Sequence, residues 1–556
     1  MISLFAASKY KRKLTETVPA GVYLFMLLIY LLGISGHIGH ITGAFILYEL
    51  FGGAALLYLV LKNKNDIRSP FMDPGNLILI VMPMIFWFIS LHMRVTNFDD
   101  FHYWAIMPKD MFYVDGVPTG GMASTFYRDY FPPVQYMDYF VFKLQGSFSE
   151  SSMFFTLWTL MLSALSEFFH KREDDDIIRY LCRAAAGLML PFLMSFQFLH
   201  CLGTDILATV IFGESLVYIM EDDTKDIFAY IRIVLAVTLL AMMKTTSLIL
   251  AAVCIGVYFV KNAEFKKPNS LIRFLILSVS TGSFWLSWKV FCRIKGNTTY
   301  LSDNLDRNLA AGHGGLPEYT ASTVKAFLAK LFTYGLNDGT TGLTSVIILI
   351  LFVLAFIIFC KEGRGTGRKR LSFAVILAGM AGYLLVMIYI YLFVFEEWEA
   401  LSLSSYDRYI STYFGALLYA ALYMFFTARI RHRWIAPAFV LLLACTINFS
   451  YVAKTLIPAG FEREYGEAVS EIDSIEREFL EAAGERPAYG ESILIVDYTT
   501  EQLRAKVLPY AAVPGVVRII RPDEETGVMP TEQEIEERAG EYGARVIDLR
   551  AGGKAE

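Results

Sequence analysis

The stretch NLILIVMPMIFWFISLHMRVTNFDDFHYW, residues 76–104, joins an apolar run to two adjacent acids. The run at 76–92 contains no Asp, Glu, Lys or Arg, and about 20 apolar residues are needed to cross the hydrocarbon core of a bilayer. Asp99 and Asp100 follow within a few residues, at the start of an aromatic and Met-rich segment. The stretch therefore predicts a membrane helix that ends shortly before a polar cluster.

The rest of the chain shares this apolar character. Of its 556 residues, 55% are hydrophobic and 19% are charged, and the mean hydropathy is +0.46, whereas soluble domains carry about 25% charged residues. We therefore expect an all-α polytopic protein of the cell membrane. The formal net charge is −5, with acids concentrated in the last hundred or so residues, which argues against nucleic-acid binding.

Apolar runs of near-spanning length predict about thirteen membrane helices. The runs lie near residues 18–35, 41–61, 76–92, 152–169, 181–200, 204–220, 229–243, 246–260, 271–291, 343–360, 372–395, 409–427 and 434–452. Lys244 interrupts the apolar sequence at 229–260. This region is either two short helices with Lys244 at the turn or one long helix.

Lys and Arg in the short loops predict the orientation, because they are enriched on the cytoplasmic side. With a cytoplasmic N-terminus, the inner loops are basic whereas the outer turns at 36–40 and 201–203 carry no Lys or Arg. The long loops 93–151 and 292–342 then lie outside, together with both acids. A single span at 229–260 would put the basic loop 361–370 outside, which favours two spans.

The chain changes character after the last apolar run. Residues 1–452 form the predicted membrane domain, and 453–556 an extracytoplasmic accessory domain that opens with an acidic amphipathic helix at 461–483. Short apolar strands then alternate with helices, which predicts a small parallel α/β fold. The elements are ESILIVDY (491–498), TTEQLRAKVLPYA (499–511), GVVRIIRP (515–522), TEQEIEERAGEYG (531–543) and ARVIDLR (544–550). No glycine-rich phosphate loop follows the first strand, so we expect the domain to shield a site or to dock an acceptor.

Asp99 and Asp100 are the first candidates for chemistry. The structural alternative is a helix cap, in which an Asp side chain accepts a backbone N–H and starts the following helix. After the acids, a mostly apolar face recurs at helical spacing and consists of His102, Tyr103, Trp104, Met107, Met111 and Phe112. This face predicts a helix in the plane of the membrane interface, holding the acids where lipid meets water.

Lys244 lies in the apolar sequence LLAMMKTTSLILAA, residues 239–252. A lysine in such a position is costly unless it faces a cavity or a partner, which makes it a functional candidate. The alternative is that its side chain snorkels to the interface. Thr204 and Asp205, at an outer turn in HCLGTD, are a further polar pair.

Arg408 lies in SYDRYIS, residues 405–411, at the predicted outer start of a late span. Asp407 and Arg408 are either an interfacial ion pair flanked by the anchoring residues Tyr406 and Tyr409 or part of a functional site. A guanidinium suits bidentate binding of phosphate.

The order of residues in the long outer loop resembles a known family. The acid pair, Trp104, Lys109, Asp115-Gly116 and the sequence YFPPVQY at 130–136 are similar to the first outer loop of the GT-C superfamily of polytopic glycosyltransferases. That group includes protein O-mannosyltransferases, aminoarabinose transferases of lipid A and bacterial cell-surface glycan transferases. The chain departs from the usual pattern because two additional spans precede this loop, and Asp-Asp replaces the Asp-Glu of several subfamilies.

The resemblance implies a GT-C fold and assigns roles to these residues. Asp99 would be the base, with Asp100 capping the helix or orienting the acceptor. The KTTSL sequence at Lys244 is similar to a family pattern whose lysine neutralises carrier phosphate, and Arg408 matches a position that contacts it. The possible substrate-binding residues are His102, Trp104, Lys109, Asp205, Tyr406 and Tyr409.

The predicted reaction moves a hexosyl or pentosyl group from a polyprenyl-phosphate donor to a hydroxyl of a glycan, lipid or protein. A single displacement would invert the anomeric centre. No cofactor is expected and no metal motif is recognised, since His37 and His40 have no carboxylate nearby. The alternative is a transporter or flippase, or a polymerase, for a lipid-linked oligosaccharide. The acids cluster in one loop and no repeat is evident, which disfavours transport.

Overall fold

The protein is described here in a computed structural model. The described residues are 1–63, 68–125, 127–173, 175–194, 199–221, 226–262, 268–297, 316–336, 342–361, 367–428, 434–523 and 527–549. Parts of the predicted inner basic loops, at 64–67, 263–267, 362–366 and 429–433, lie outside the described residues. So do residues 298–315 and 337–341 of the predicted outer loop 292–342.

Helices dominate the chain up to residue 483. They are α1 (Ile2–Tyr10), α2 (Leu14–Ile34), α3 (Ile41–Asn63), α4 (Arg68–Phe71), α5 (Gly75–Ser90), α6 (Ile106–Val114), α7 (Pro133–Gln145), α8 (Glu150–Ala164), α9 (Ile177–Met194), α10 (Asp205–Glu221), α11 (Ile227–Ala241), α12 (Ser247–Asn262), α13 (Pro268–Lys295), α14 (Thr320–Thr333), α15 (Ser345–Phe359), α16 (Gly367–Phe393), α17 (Glu397–Ser402), α18 (Tyr406–Thr427), α19 (Ile435–Cys445), α20 (Phe449–Leu456) and α21 (Pro458–Ala483). A π-helical turn covers Asp100–Trp104, and short 3-10 turns cover Ile38–His40, Gly120–Met122 and Ser166–Phe168.

The structure confirms only part of the predicted set of spans. Within the described residues, six helices are long and apolar enough to cross a membrane, and a seventh span results if the pair α19 and α20, bent by 68°, is counted as one. Helices α5, α11, α12 and α15 are apolar but shorter. At 1.5 Å per residue, a helix of about 16 residues is shorter than the hydrocarbon core. The prediction of thirteen spans is therefore not confirmed. The prediction of an all-α main part with several helices long and apolar enough to cross a membrane is confirmed.

The region around Lys244 forms two helices. Helix α11 ends at Ala241 and α12 begins at Ser247, so that Lys244 lies in the turn between them. Of the two alternatives for residues 229–260, the structure has the helix–turn–helix.

Helix α18 lies at the centre of the helical part. Of its most apolar 18-residue window, 94% is buried, whereas the corresponding windows at Ile38–Lys62 and α13 are only 11% buried. Gly213 of α10 allows the close approach of α18, because a Cβ there would lie 2.6 Å from Cβ of Tyr419. Small residues of this kind let helices pack tightly. The helical part thus has a buried centre and an apolar outer surface, as a membrane protein needs.

The C-terminal unit contains the predicted parallel sheet. Strands β1 (Ser492–Val496), β2 (Val516–Ile520) and β3 (Arg545–Asp548) pair in the order β2-β1-β3, all parallel. Helices α22 (Arg504–Ala511) and α23 (Glu532–Tyr542) lie between successive strands in the chain. The predicted order of strands and helices is confirmed.

The C-terminal unit packs on the loop 93–151. Lys109 Nζ donates to Glu476 at 3.1 Å, the Tyr510 hydroxyl donates to Glu150 at 2.8 Å, and the rings of Phe101 and Tyr510 lie 5.2 Å apart. Residues 106–111 are all buried. The predicted interfacial helix therefore lies between the helical part and the C-terminal unit, and its apolar side chains contact protein.

Candidate active site

Four charged side chains from distant segments meet at one place. Asp99 precedes the π-helical turn, Asp205 begins α10, Lys244 lies between α11 and α12, and Arg408 is in the first turn of α18. We call these residues the Asp99 cluster. Each comes from the end of a helix or from a turn, where a charged side chain can reach a shared space without crossing an apolar core.

Arg408 and Asp205 connect the cluster. A guanidinium nitrogen of Arg408 donates to Asp99, and its Nε lies 3.6 Å from Oδ2 of Asp205. Lys244 Nζ donates to Oδ1 of Asp205 at 2.5 Å and lies 4.6 Å from the ring centre of Tyr409. The Lys244 side chain is thus turned into the cluster. Lys244 and Arg408 thus both contact Asp205, and Arg408 also contacts Asp99, so the three residues predicted from the sequence lie in one cluster.

Two buried atoms of the cluster lack hydrogen bonds. Arg408 Nε and Asp205 Oδ2 make none with any described residue. Buried polar groups are nearly always hydrogen-bonded, so such exceptions require an explanation. Here the two atoms face each other at 3.6 Å, just beyond hydrogen-bond length, so they form a stretched ion pair.

The two adjacent acids differ in access. The Asp99 side chain is 40% exposed, whereas Asp100 is fully buried. Asp100 accepts the Leu202 backbone N–H at 3.0 Å, and burial raises the pKa of its carboxyl well above the usual range. Asp100 thus holds the turn before α10 against the π-helical turn, while Asp99 alone is accessible. Neither the Asp99 nor the Asp100 side chain caps the following turn.

Aromatic side chains flank the accessible acid. The rings of Tyr127 and Tyr130 lie 4.9 Å apart, and Tyr130 lies 5.9 Å from Trp104. Burial and the charge of Asp99 raise the pKa of Tyr127 to about 12. His102 lies 6.3 Å from Tyr127, and burial lowers its pKa. Sequence reasoning missed Tyr127, although its place in the aromatic sequence FYRDYF was a usable signal.

Lys506 is the second residue that sequence reasoning missed. It lies on α22 of the C-terminal unit, and its ammonium group contacts the ring of Phe98, the residue before Asp99. Burial lowers the pKa of Lys506 to about 8, and the Asp99 carboxylate acts in the opposite direction. No local pattern could have revealed this lysine, because its position depends on how the C-terminal unit packs.

Other predicted site residues have partners elsewhere. Lys109 is buried between Glu476 and the Tyr510 ring, whose centre is 3.5 Å from Nζ. The Tyr406 hydroxyl donates to the Phe327 carbonyl at 3.3 Å. The structure thus does not bring Lys109 or Tyr406 to the Asp99 cluster, whereas Trp104, His102, Asp205 and Tyr409 lie in or beside it.

The cluster combines an accessible carboxylate with two cations. Among the residues that the structure describes, no three His, Cys, Asp or Glu side chains are arranged to hold a metal ion. Such a combination suits proton transfer next to an anionic group. Comparison of the chain with models of known protein families and with curated proteins finds no match.

Proposed function

We propose that the protein is a membrane glycosyltransferase of the GT-C type. It would transfer a sugar from a polyprenyl-phosphate donor to a hydroxyl of a cell-surface glycan, lipid or protein. The observation that carries this proposal is the meeting of the accessible Asp99 with Arg408 and Lys244, from segments as far as 309 positions apart in the chain. The resemblance of the loop around Asp99 to GT-C enzymes supports the same reaction.

Arg408 and Lys244 would bind the phosphate of the donor. Arg408 offers a planar set of donors that matches phosphate oxygens, and its partner Asp99 is 40% exposed, so a ligand can reach that side of the guanidinium. Negative charge develops on the phosphate as the glycosidic bond breaks. Cations held in place beforehand stabilise that charge and lower the barrier.

Asp99 would accept the proton of the acceptor hydroxyl. Its carboxylate is paired with Arg408, so a phosphate that binds Arg408 competes with Asp99 for the same guanidinium. Donor binding would thereby free the carboxylate to act as a base. Asp205 keeps Lys244 as a partner during this exchange. One base and one leaving phosphate imply a single displacement with inversion.

The proposed location is the outer face of the cell membrane. The long apolar helices and their exposed apolar surfaces support an integral membrane protein, and the distribution of Lys and Arg supports a cytoplasmic N-terminus. The C-terminal unit, within residues 453–556, would then be extracytoplasmic. The lipid-linked sugar is a substrate, and the proposal involves no cofactor.

The test uses purified protein in lipid nanodiscs and a set of polyprenyl-phosphate sugars. Release of polyprenyl phosphate and transfer of the sugar are followed by mass spectrometry. Asp99→Asn should lower turnover about 10²- to 10⁴-fold, the usual contribution of a general base, with unchanged thermal unfolding.

Asp115→Asn is the matched control for this substitution. Asp115 is a half-exposed carboxylate of the same loop and is paired with Lys143 at 2.8 Å, away from Arg408. This variant should retain wild-type turnover. Retained turnover in Asp99→Asn would remove Asp99 as the base.

A second candidate function is transport of a lipid-linked oligosaccharide. A polar cavity of about 340 Å³ lies at the other ends of α10 and α18, and the buried Glu214 of α10 accepts from Tyr218 at 2.5 Å between the two sites. Ionisable residues buried inside a bundle of membrane helices often mark a transport path. Movement of the intact lipid-linked sugar across a vesicle membrane, without cleavage of the sugar–phosphate bond, would favour this function.

A further inference from the structure

Lys506 brings a positive charge of the C-terminal unit to the Asp99 cluster. Helix α22 packs on the π-helical turn through Tyr510 and Phe101, whose ring centres are 5.2 Å apart. One helical turn earlier on α22, the Lys506 ammonium contacts the Phe98 ring beside Asp99. The methylene chain is covered, and Lys506 is only 9% exposed.

The other two cations of the site already have carboxylate partners. Arg408 pairs with Asp99 and Asp205, and Lys244 pairs with Asp205. Lys506 forms no ion pair or hydrogen bond with a side chain in the described part of the chain, and its charge interacts with Asp99 only at longer range. The ammonium therefore has the face of an aromatic ring as a partner but no anion, and an anion that approaches it would gain a charge-assisted hydrogen bond.

The formal charges of the site lead to the same conclusion. Asp99 and Asp205 balance Lys244 and Arg408, while burial favours the neutral form of Asp100. Lys506 therefore leaves the site with an excess positive charge. An excess positive charge at the accessible side of the cluster favours an anionic ligand.

We propose that Lys506 binds a phosphate oxygen of the substrate, so that the C-terminal unit supplies part of the anion site. The identity of this anion as a prenyl phosphate rests on the proposed function. The inference goes further than that function because it makes the C-terminal unit a direct contributor to ligand binding, beyond covering the loop.

The experiment measures binding of farnesyl monophosphate to the full-length protein in detergent, with farnesol as the uncharged probe and inorganic phosphate as the lipid-free probe. Lys506→Met keeps the contact with Phe98 and removes the charge. It should weaken farnesyl phosphate binding roughly tenfold, as expected for one charge-assisted hydrogen bond, and leave farnesol binding unchanged. Lys506→Arg should retain most of the affinity.

Arg477→Ala is the charge-matched control, because Arg477 is exposed on α21 of the same unit. It should bind farnesyl phosphate as the wild type does. Equal weakening by Lys506→Met and Arg477→Ala would show a general charge effect and overturn the proposal, as would unchanged binding in Lys506→Met or absent phosphate binding in the wild type. Loss of inorganic phosphate binding to the same extent would support the anion site and identify the free ion as its ligand.

The two proposals fail in different ways. Absence of sugar transfer with phosphate binding that depends on Lys506 would reject the transferase function and retain the anion site. Sugar transfer with phosphate binding that is independent of Lys506 would retain the transferase function and reject the role of Lys506 in the anion site.

Discussion

Helices α10 and α18 carry charged clusters at both ends, and the two clusters differ in how their charges are paired. One polar cavity lies at the C-terminal ends of both helices, beside Glu221 of α10 and Tyr423 of α18. Its other charged and polar lining residues are Arg12, Glu16, Glu167, His170, Arg172, Glu173, Asp226 and Arg232. We call it the Arg232 cavity. At the opposite ends, Asp205 and Arg408 belong to the Asp99 cluster.

Every arginine of the Arg232 cavity has a carboxylate partner. Nη1 of Arg232 lies 2.5 Å from Oε1 of Glu167. Nη1 of Arg172 lies 3.2 Å from Oε1 of Glu221, and Arg12 pairs with Asp226. Arg232 Nε makes no hydrogen bond with a described residue, yet its charge is neutralised. Beside the Asp99 cluster, by contrast, Lys506 has no carboxylate partner among the described residues, and Asp99 is accessible.

The difference separates a structural role from a ligand-binding role. The paired arginines of the Arg232 cavity tie helix ends together. Five carboxylates and three arginines line this cavity, so it has little electrostatic reason to bind an anion. Incompletely paired charges next to an accessible acid retain the capacity to bind an anion. Residue types alone do not make this distinction, since both clusters combine arginines with carboxylates.

The largest expected effect is the loss of activity at the Asp99 cluster. Arg408→Gln removes the guanidinium that would bind the leaving phosphate, and should lower turnover about 10²- to 10³-fold. Asp205 keeps its ion pair with Lys244, so the midpoint of thermal unfolding should change little. Sugar transfer at the wild-type rate would contradict the assignment of Arg408. A large loss of stability without a specific loss of turnover would show that Arg408 has a structural role, as we expect for Arg232.

At the Arg232 cavity we expect a loss of stability instead. Arg232→Met leaves Glu167, whose side chain is 6% exposed, without its partner, and should destabilise the fold by about 3 kcal/mol. The measurement is thermal unfolding in detergent, combined with turnover at a temperature where the variant is folded.

A double variant is the control for Arg232→Met. Replacing both Arg232 and Glu167 by Met removes the unpaired charge and should recover most of the lost stability. If the single variant is as stable as the wild type, the pair is not structural.

The smallest expected effect is the pH dependence of anion binding. Lys506 has a pKa of about 8, so its ammonium loses a proton, and its attraction for phosphate, as the pH rises above that value. The titratable groups that face it are Asp99, His102 and Tyr127. Burial lowers the pKa of His102, and the pKa of Tyr127 is about 12. Neither His102 nor Tyr127 should change charge between pH 7 and 9.5, and phosphate monoesters are already dianionic there, with a second pKa of about 6.

Affinity for farnesyl phosphate should therefore fall roughly tenfold over this range in the wild type. In Lys506→Arg it should stay nearly constant, because a guanidinium keeps its proton. The measurement is the dissociation constant as a function of pH. A flat wild-type profile, or an equally steep one for Lys506→Arg, would show that Lys506 does not bind the phosphate.

The amino-acid sequence by itself determined the local elements. Apolar runs predicted the main helices, including the two on either side of Lys244, and alternating strands and helices predicted the parallel sheet. These features depend on hydrophobic periodicity over ten to twenty residues, which is a local property. The predicted number of spans is not confirmed, because an apolar run does not fix the length of its helix, and four apolar helices in the described part of the chain have only 10–17 residues.

Ionisable residues beside apolar sequence also singled out side chains that the fold brings together. Asp99, Lys244 and Arg408 were predicted from the cost of placing charges there and from the resemblance of their surroundings to a family. Their meeting in one cluster depends on the packing of helices far apart in the chain.

Only the tertiary structure decided which groups of the stretch at 76–104 are accessible. Asp99 and Asp100 are adjacent and chemically identical, yet one faces the cluster and the other is buried against the turn at Leu202. The position of Lys506 likewise follows from the packing of α22 on the π-helical turn. Access and pairing depend on contacts between segments hundreds of residues apart, and no local pattern encodes them.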